Sequence, residues 1–547
     1  MTHTDGTEPT AFFVGIDVGT GSARAGVFDA SGTLLASVRH DMQLFRPSGD
    51  IAEQSSDDIW KCVCQSVTEA VGASGVDPAA IAGIGFDATC SLVVLDRDDQ
   101  PLSISATGDA SRNIIVWMDH RAVDQAHRIN QTKHRVLDYV GGTISPEMET
   151  PKLLWLKENM PDTYHDAGHF FDLTDFLTWR ATGDRARSVC TVTCKWTYLA
   201  HETGWDASYF DAIGLKELAD EGFARIGTSI VDPGTPLGRG LTHAAASELG
   251  LTPGTAVGAG LIDAHAGGVG SIGAAGPHDG AASRMAYVFG TSACTMSSSE
   301  TAAFVPGVWG PYFSAMVPGL WLSEGGQSAA GEAIAHLVKC HPAYPAAQVA
   351  ADKAGQDVLA YLVDKTAQKA THPSSAIGLA KQLIVVPEFL GNRAPFADPQ
   401  AKAIISGLDL DTREDSLLGL YVAGLAGLGY GLRQILTVQR DNGVDPTLIV
   451  MSGGAGAHPI VKQILADASG IAFADSGSDE PVLLGSAMLG ATAAGAYPSL
   501  QNAMSEMSSL GTIYEPAEGQ TAALHQRRFE TFQALQAAAR MSRTGSL

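Results

Sequence analysis

An apolar strand followed by a turn of small residues occurs once in each half of this 547-residue chain. In the first half, the run 11–17 is apolar up to Asp17, a Gly-Thr-Gly-Ser turn follows, and strand-like sequence resumes at 23–29. In the second half, the apolar run 285–289 leads into a Gly-Thr-Ser turn. Because repeated sequence indicates repeated structure, the pattern predicts a duplicated core with one copy in each half.

Both turns are suited to binding phosphate. Backbone N–H groups in a glycine-rich turn can surround an anion, and small side chains let it approach closely. We therefore predict that the turns contact the phosphates of a nucleotide and that Asp17 helps to hold Mg²⁺ through water. The predicted nucleotide contacts in this region are Gly19, Thr20, Gly21, Ser22, Arg24, Gly290, Thr291 and Ser292.

The first turn differs from a dinucleotide-binding fingerprint. That fingerprint needs a third glycine and a helix after the turn, whereas Arg24 occupies the third position and the sequence continues as a strand. A dinucleotide-dependent oxidoreductase is therefore disfavoured. The Gly-x-x-x-x-Gly-Lys-Ser/Thr motif of P-loop nucleotidases is also missing from the chain.

A third turn of small residues follows the apolar strand 448–451 and precedes a helix. Such a turn suits a flat ring or a phosphate lying against backbone, and it equally suits close packing of the helix on the strand. If it binds a nucleotide, the expected contacts are Gly453, Gly454 and Ala455.

A single carboxylate, Asp263, stands among glycines and alanines in the stretch 258–268. No lysine or arginine lies near it in the sequence, and its only titratable neighbour is His265. Two interpretations are open at this point. Asp263 either caps the helix that follows it, or it is an unpaired carboxylate that accepts a proton as a base.

Other polar candidates follow predicted strands. Asp87, Thr89 and Cys90 come at the end of the buried strand 81–86, where α/β proteins usually present ligand contacts, although Thr89 is also an ordinary turn residue. Lys195 precedes a tryptophan in a segment that we interpret as a loop. Glu324, before a Gly-Gly-Gln-Ser run, could contact a ligand hydroxyl or hold a helix N-terminus.

The spacing of apolar residues predicts several helices. One covers 57–71 with Asp57 as its cap, a long one covers 415–440, and an alanine-rich helix covers 518–543 near the C-terminus.

The composition indicates a globular protein and argues against several other classes of protein. The length suggests more than one domain, and 45% hydrophobic with 17% charged residues fits a globular protein. The net charge of −24 argues against nucleic acid or an anionic membrane as a partner. The seven cysteines are scattered and predict neither disulfides nor a zinc site, so we expect reduced thiols in a cytoplasmic protein. No secretory signal is visible, and the apolar tract 482–497 is short for a membrane span.

Taken together and in this order, the motifs resemble those of the FGGY carbohydrate kinases, a branch of the actin/hexokinase-type ATPases. The resemblance covers roughly Phe12 to Pro498. It implies an α/β fold of two lobes, the actin/hexokinase-like ATPase fold, built from duplicated ribonuclease H-like domains, with ATP and Mg²⁺ as cofactors. The implied domains are 11–271, with the first phosphate turn and the sugar site, and 284–498, with the ATP site. A helical tail covers 499–547.

Details of two motifs indicate which branch of this family the chain resembles most. The Asp-Ala-His-Ala-Gly context of Asp263 is similar to the catalytic base of the pentulose-kinase branch. The loop 86–93, with Thr-Cys-Ser-Leu-Val, resembles D-ribulose kinases and, less closely, L-ribulokinases, and it lacks the Arg-Glu or Met-His-Gly of glycerol and xylulose kinases. The sugar-site residues that this implies are Asp87, Thr89, Cys90, Lys195, Asp263 and Glu324.

The implied function is ATP-dependent phosphorylation of the terminal hydroxyl of a ketopentose, with D-ribulose as the preferred substrate and L-ribulose or another pentulose or pentitol as alternatives. A non-catalytic, actin-like nucleotide-binding protein is the main alternative from another class. A homodimer is a further expectation for this chain, since the tail after Pro498 could form an interface.

Overall fold

The computed structural model describes residues 11–276, 278 and 280–544. The strands are β1 (Phe12–Val18), β2 (Ser22–Asp29), β3 (Leu34–Asp41), β4 (Glu53–Gln54), β5 (Ile81–Ala88), β6 (Leu92–Asp96), β7 (Ile114–Ile115), β8 (Ala167–Asp172), β9 (Arg187–Ser188), β10 (Ile230–Val231), β11 (Ala256–Ile262), β12 (Arg284–Phe289), β13 (Ala293–Ser299), β14 (Trp309–Phe313), β15 (Trp321–Gln327), β16 (Ile384–Val386), β17 (Ile404–Ser406), β18 (Leu448–Ser452), β19 (Ala472–Ser476) and β20 (Leu510–Tyr514).

The helices alternate with these strands and cover their faces. They are α1 (Ser56–Ser74), α2 (Val123–Gln131), α3 (Glu149–Asn159), α4 (Pro161–Asp166), α5 (Leu173–Thr182), α6 (Val189–Trp196), α7 (Ala207–Ala212), α8 (Lys216–Asp220), α9 (His243–Leu249), α10 (Asp263–Ile272), α11 (Gly331–Lys339), α12 (Tyr344–Ala354), α13 (Val358–Lys369), α14 (Glu414–Asp441), α15 (Pro459–Ser469), α16 (Pro481–Ala493), α17 (Leu500–Met507) and α18 (Gly519–Thr544).

The first half is organised around a five-stranded sheet with the order β11-β5-β1-β2-β3. Strands β1, β2 and β3 form an antiparallel meander, and β5 and β11 join β1 in parallel on its other side. The strand, turn and returning strand predicted over residues 11–29 are therefore confirmed.

The second half repeats this arrangement inside a seven-stranded sheet. Its order is β14-β15-β13-β12-β18-β19-β20. Strands β12, β13 and β15 are antiparallel neighbours, and β18 and β19 continue from β12 in parallel. The five central strands thus have the same order and directions as the sheet of the first half, and the predicted duplicated α/β core is confirmed.

Two glycine-rich helices, α10 and α16, pack against each other between the two sheets. Helix α16 comes from the second half of the chain, yet it lies on β1, β5 and β11 of the first sheet. The contact is so close that a Cβ on Gly15 would stand 1.8 Å from the carbonyl oxygen of Leu483, and one on Gly485 would stand 1.9 Å from that of Ala266. Glycine is needed at both positions because nothing larger fits.

The segment around Lys195 was interpreted as a loop, and this is wrong. It is the last turn of α6, which begins after Ser188, whose side chain accepts a hydrogen bond from the N–H of Cys190, and ends at Thr197 in the left-handed region. Its Val and Thr residues have low helix propensity. The helix forms nevertheless because almost all of its residues are buried, and packing outweighs the local preference.

The other predicted helices differ mainly at their ends. Helix α1 is capped by Ser55 rather than by Asp57, and it extends to a left-handed Gly75. Helices α14 and α18 begin and end within one residue of the predicted limits. Among the described helices, only α14 has the length and composition to cross a membrane, and most of its apolar window is buried in the protein, as in a core helix. All seven cysteines are free, as predicted.

Candidate active site

Three aspartates lie at the carboxyl ends of neighbouring parallel strands. Asp17 of β1 is directly opposite Asp87 of β5. Leu261 of β11 is also paired with Asp87, so Asp263 follows just beyond the end of that strand. Such strand ends are the usual location of ligand sites in α/β proteins. The parallel pairing of β5 with both neighbours therefore brings together three carboxylates that lie up to 246 residues apart along the sequence.

Asp263 is the first residue of α10 and not its cap. The N-cap is Ile262, which makes no side-chain capping bond, and Asp263 Oδ1 accepts a hydrogen bond of 2.7 Å from the N–H of Ala264. The interpretation of Asp263 as a cap is therefore wrong. The carboxylate still lies at the positive end of the helix dipole, which favours its charged form.

The surroundings of Asp263 make it a stronger base than a free aspartate. Burial, and after it the charge of Asp17, raise the pKa of Asp263 to about 6. The N–H of Ala264 and the charges of His265 and Lys195 act in the opposite direction. At neutral pH Asp263 is thus ionised, with a proton affinity close to the range that suits a general base.

Asp87 is fully buried and connects the two halves. Its Oδ2 accepts a hydrogen bond of 2.5 Å from Ser486 of α16, whereas its Oδ1 has no hydrogen-bond partner in the described part of the chain. Burial, followed by the charge of Asp17, raises the pKa of Asp87 well above its ordinary value. A buried carboxylate oxygen of this kind is normally satisfied by a hydroxyl, a water or a protonated group.

Arg24 forms a bridge between the first hairpin and α16. Its Nε lies 2.8 Å from Asp17 Oδ2, and its Nη1 lies 2.8 Å from Glu480 Oε2 at the start of α16. The predicted contact of Arg24 with a nucleotide stays a prediction. In this structure its guanidinium neutralises one oxygen of Asp17.

Each phosphate turn is closed by a hydrogen bond between its first and last residues. The N–H of Gly19 donates to the carbonyl of Ser22 at 3.0 Å, and the N–H of Gly290 donates to the carbonyl of Ser292 at 2.9 Å. The second turn is one residue shorter than the first, so the two turns correspond in position but not in every hydrogen bond. Thr20 is further fixed because Trp117 Nε1 donates to its hydroxyl at 2.9 Å.

The turn that contains Gly453, Gly454 and Ala455 lies beside the second phosphate turn. Strands β12 and β18 are parallel neighbours, with Val288 opposite Ser452, so their carboxyl ends are adjacent. Gly453 has a φ of 101°, and a Cβ there would stand 2.3 Å from the carbonyl oxygen of Phe289. This position therefore requires glycine, and the open backbone next to the second turn fits a nucleotide lying across both.

The predicted sugar-site residues from other elements also meet here. Burial raises the pKa of the Cys90 thiol to about 12. Burial alone would lower the pKa of Lys195, but Cys90 and Glu324 raise it well above its ordinary value, so Lys195 is a cation. Thr89 is held by a hydrogen bond from its N–H to the carbonyl of Val18 at 3.0 Å.

Glu324 contacts His265, which in turn contacts Cys190, and the sequence did not identify either residue as part of a site. Its Oε2 lies 3.5 Å from His265 Nε2, and His265 Nδ1 lies 3.1 Å from Cys190 Sγ. Burial alone would raise the pKa of Glu324, but the contact with His265 and the charge of Lys195 lower it to about 2. Burial alone would lower the pKa of His265, but Cys190 and Glu324 raise it to about 10.

A cavity of about 220 Å³ opens beside Glu324. Its polar lining includes Thr143, Ser328, Asn392 and Arg393, and Trp309 forms part of its wall. Lys195 Nζ lies 5.8 Å from the centre of the Trp309 ring, and the guanidinium of Arg393 lies 5.3 Å from it. Nothing in the sequence indicates that Trp309 and Arg393 belong near Glu324, because they come from β14 and from the loop after β16.

The carboxylates at the strand ends fit a magnesium ion that is bound largely by water and phosphate. Carboxylate oxygens are ligands that Mg²⁺ prefers, and Mg²⁺ commonly keeps several waters and needs only one or two protein carboxylates. The described residues contain no group of three or more side chains arranged as a closed metal site. Asp17 and the orphaned oxygen of Asp87 are the suitable donors.

Comparison with known proteins identifies the family. Models of the N-terminal and C-terminal domains of the FGGY family of carbohydrate kinases match residues 12–270 and 285–494. The chain belongs to the FGGY family of carbohydrate kinases.

Individual relatives and solved structures agree with this assignment. A human protein named for its FGGY carbohydrate kinase domain is 46% identical over 93% of this chain and 93% of its own length. A D-ribulokinase of Saccharomyces cerevisiae is 38% identical over 88% of this chain and 72% of its own. The crystal structure of a xylulose kinase from Rhodospirillum rubrum has a TM-score of 0.78 at 22% identity, covering 96% of this chain and 98% of that one, which supports the predicted actin/hexokinase-like fold.

This FGGY kinase is thus an enzyme that acts on a carbohydrate. The family does not assign roles to its individual residues, and those roles stay predictions. The predicted domain limits at 271, 284 and 498 stay predictions as well, and α16 shows that the two halves are not separate in space.

Proposed function

We propose that this FGGY kinase transfers the γ-phosphoryl group of ATP to the terminal hydroxyl of a ketopentose, and that D-ribulose is its main substrate, giving D-ribulose 5-phosphate. The observation that carries the proposal is the position of Asp263, a carboxylate with a pKa of about 6 among the Lys195, Glu324 and Cys90 side chains. The choice of D-ribulose is supported by the yeast relative named D-ribulokinase and by the Thr-Cys-Ser-Leu-Val loop.

Asp263 would act as the general base. An alcohol is a poor nucleophile, and a carboxylate that accepts its proton in the transition state accelerates such a reaction by roughly 10²–10⁴-fold. In the proposed step, the O–H proton of the sugar passes to Asp263, its oxygen forms a bond to the γ-phosphorus, and the bond from that phosphorus to the β,γ-bridging oxygen breaks to release ADP.

The nucleotide would lie along the three turns of small residues. The N–H groups around Gly19, Gly290 and Gly454 are placed at strand ends where they can surround phosphates. Asp17, with Asp87 beside it, would hold Mg²⁺ through water. When bound, Mg²⁺ neutralises charge on the β- and γ-phosphates.

The sugar would lie between Cys90, Lys195 and Glu324, with the cavity beside Glu324 as its entrance. Lys195 is a cation that donates hydrogen bonds, and Glu324 is a carboxylate that accepts them. A polyhydroxylated ligand with a carbonyl group needs both kinds of partner. The cavity of about 220 Å³ is of the order of a small sugar.

One alternative substrate has support of its own. A ribulokinase of Bacillus licheniformis is 28% identical over 85% of this chain, so L-ribulose is the second candidate substrate.

A cytoplasmic location and a homodimer remain proposals from the sequence.

The test is ADP release from ATP and Mg²⁺ with a panel of acceptors: D-ribulose, L-ribulose, D-xylulose, L-xylulose, ribitol, L-arabinitol and glycerol. We expect the highest kcat/KM with D-ribulose and no ADP without an acceptor, because the base has no alcohol to activate. A higher kcat/KM with another acceptor would overturn the choice of sugar. ADP formation that is independent of every acceptor would contradict the proposal and favour an actin-like nucleotidase.

A further inference from the structure

Cys190 lies where it can fix the backbone on both sides of Asp263. Its sulfur accepts a hydrogen bond of 3.4 Å from the N–H of Ile262, the residue before Asp263, and lies 3.1 Å from Nδ1 of His265, two residues after it. Cys190 is itself held at the start of α6, where its N–H donates to the hydroxyl of Ser188. One sulfur atom thus contacts the chain immediately before and immediately after the proposed base.

His265 connects this sulfur to the other half of the molecule. Its Nε2 lies 3.5 Å from Glu324 Oε2, and Glu324 is on β15 of the second sheet. The side chains of His265 and Cys190 are buried, and that of Glu324 is nearly so. The contacts therefore connect α6, α10 and β15 in succession. They link Asp263, the proposed base at the end of the first sheet, to Glu324, the predicted sugar-binding residue of the second sheet.

Filling space alone does not account for this line of polar side chains. Burying charged groups carries a large desolvation penalty, and apolar residues of similar volume often pack at least as stably. The contacts among Cys190, His265 and Glu324 are instead directional, and they place the imidazole of His265 between the carboxylates of Asp263 and Glu324. This arrangement serves the geometry of the site.

Titratable groups from several elements surround His265 and Asp263. His265 faces Cys190 of α6 and Glu324 of β15, in addition to Asp263 of its own helix. Asp263 faces Asp17 of β1, Asp87 of β5 and Lys195 of α6. The charge of Asp17 favours the protonated form of Asp263, whereas the imidazolium of His265 and the ammonium of Lys195 favour its carboxylate.

We infer that Cys190 and His265 are a positioning pair, which holds Asp263 in register with Glu324 across the two halves through the ion pair between His265 and Glu324. The inference rests on the proposed role of Asp263 and Glu324. Neither Cys190 nor His265 touches the reacting atoms. Their effect is exerted through the backbone around Asp263 and through the carboxylate of Glu324.

The first test compares His265→Gln with His525→Gln. Gln keeps polar atoms at a similar distance but cannot carry a positive charge. We expect His265→Gln to lower kcat by about 100-fold, the size of effect that follows a small misplacement of reacting groups. We also expect the KM for ATP to change much less than kcat, because neither residue belongs to the predicted nucleotide turns. His525 is equally buried but bonds to Tyr430 in another part of the protein, so His525→Gln should keep the wild-type kcat.

The second test uses Cys190→Ser and does not depend on His265→Gln folding. Serine retains an acceptor for the N–H of Ile262 but lacks the sulfur that contacts the imidazole. We expect the titration midpoint of His265, measured by NMR of isotope-labelled histidine, to fall below its wild-type value, and kcat to fall with it. The wild-type His265 should be protonated at neutral pH.

These results separate the inference from the proposed function. The rate measurements use whichever acceptor the wild-type enzyme phosphorylates best, so a change of sugar leaves them intact. A neutral His265 in the wild-type enzyme would overturn the inference, and so would a folded His265→Gln or Cys190→Ser variant with an unchanged kcat. The NMR titration decides the charge of His265 even if no tested acceptor is phosphorylated.

Discussion

The candidate site combines residues whose charges oppose one another at short range. Asp17, Asp87 and Asp263 meet at three strand ends, and the charge of Asp17 disfavours the ionisation of both Asp87 and Asp263. Lys195 and His265 offset this effect at Asp263. The resulting pKa of about 6 lies between that of an ordinary aspartate and neutrality, which is where a general base is both ionised and effective.

The rate should therefore depend on the ionisation of Asp263. Because the base must be unprotonated, we expect kcat/KM to be constant near neutral pH and to fall below a pH of about 6, by about tenfold for each further pH unit. The measurement is kcat/KM for the best acceptor across this range, with the stability of the protein checked at each pH. A profile that stays flat well below a pH of 5 would contradict the assignment of Asp263 as the base.

The sequence identified single residues well where they stand in motifs and poorly where only folding brings them together. Asp263 was recognisable because it is an isolated carboxylate in a stretch of small residues. Cys190 carried no such signal, since its partner His265 is 75 residues away and the intervening sequence gives no pairing. Lys195 was identified as a candidate, but its helix was missed because burial, rather than local preference, forms α6.

At the level of elements, close packing of α16 on the first sheet and on α10 sets the geometry of the site. Helix α10 begins with Asp263, and α16 contains Ser486, the hydrogen-bond partner of Asp87. The glycines of both helices let their backbones come into contact. For example, a Cβ on Gly485 would lie 1.9 Å from the carbonyl oxygen of Ala266 and 2.7 Å from its carbonyl carbon.

Gly485→Ala should therefore affect both stability and catalysis. The added methyl group meets backbone atoms that cannot move alone, so α10 and α16 must separate, and we expect a loss of about 1–3 kcal/mol of unfolding free energy together with a lower kcat. Thermal or denaturant unfolding and the kinase assay measure the two effects.

Gly72→Ala is the matched control for this prediction. Gly72 lies in α1 with no atom within 4 Å of an added Cβ, so alanine there should stabilise the helix by about 0.5–1 kcal/mol. Equal melting temperatures for Gly485→Ala and the wild-type enzyme would show that the interface between α10 and α16 is looser than described.

Helices and strands were predicted most accurately where the apolar pattern extends over many residues. Helix α14 was placed within one residue at each end, because its buried positions recur over many turns. The short strands of the second sheet that form its edge, β14 and β20, have no comparable pattern. The packing of α16 on the sheet of the opposite half could not be read from the sequence, because glycine and alanine make a helix suitable for close contact without indicating its partner.

At the scale of the whole molecule, the two sheets contribute different parts of one site. The first sheet supplies Asp17, Asp87 and Asp263, and the second supplies Glu324 and the turns at 290–292 and 453–455. Arg24 and Glu480 form an ion pair between the first hairpin and α16. The duplication was predictable from two short turns, whereas the way in which the halves share α16 required the structure.

The central claim is that Asp263 is the base that activates a sugar hydroxyl in a preformed site. The most direct measurement compares turnover and binding in Asp263→Asn, with Asp357→Asn, at the exposed cap of α13, as a control for the same substitution elsewhere. We predict that Asp263→Asn binds ATP and the ketopentose nearly as the wild-type enzyme does in calorimetry, while its kcat falls by roughly 10²–10⁴-fold or more. Near-normal turnover by purified, folded Asp263→Asn would contradict the account.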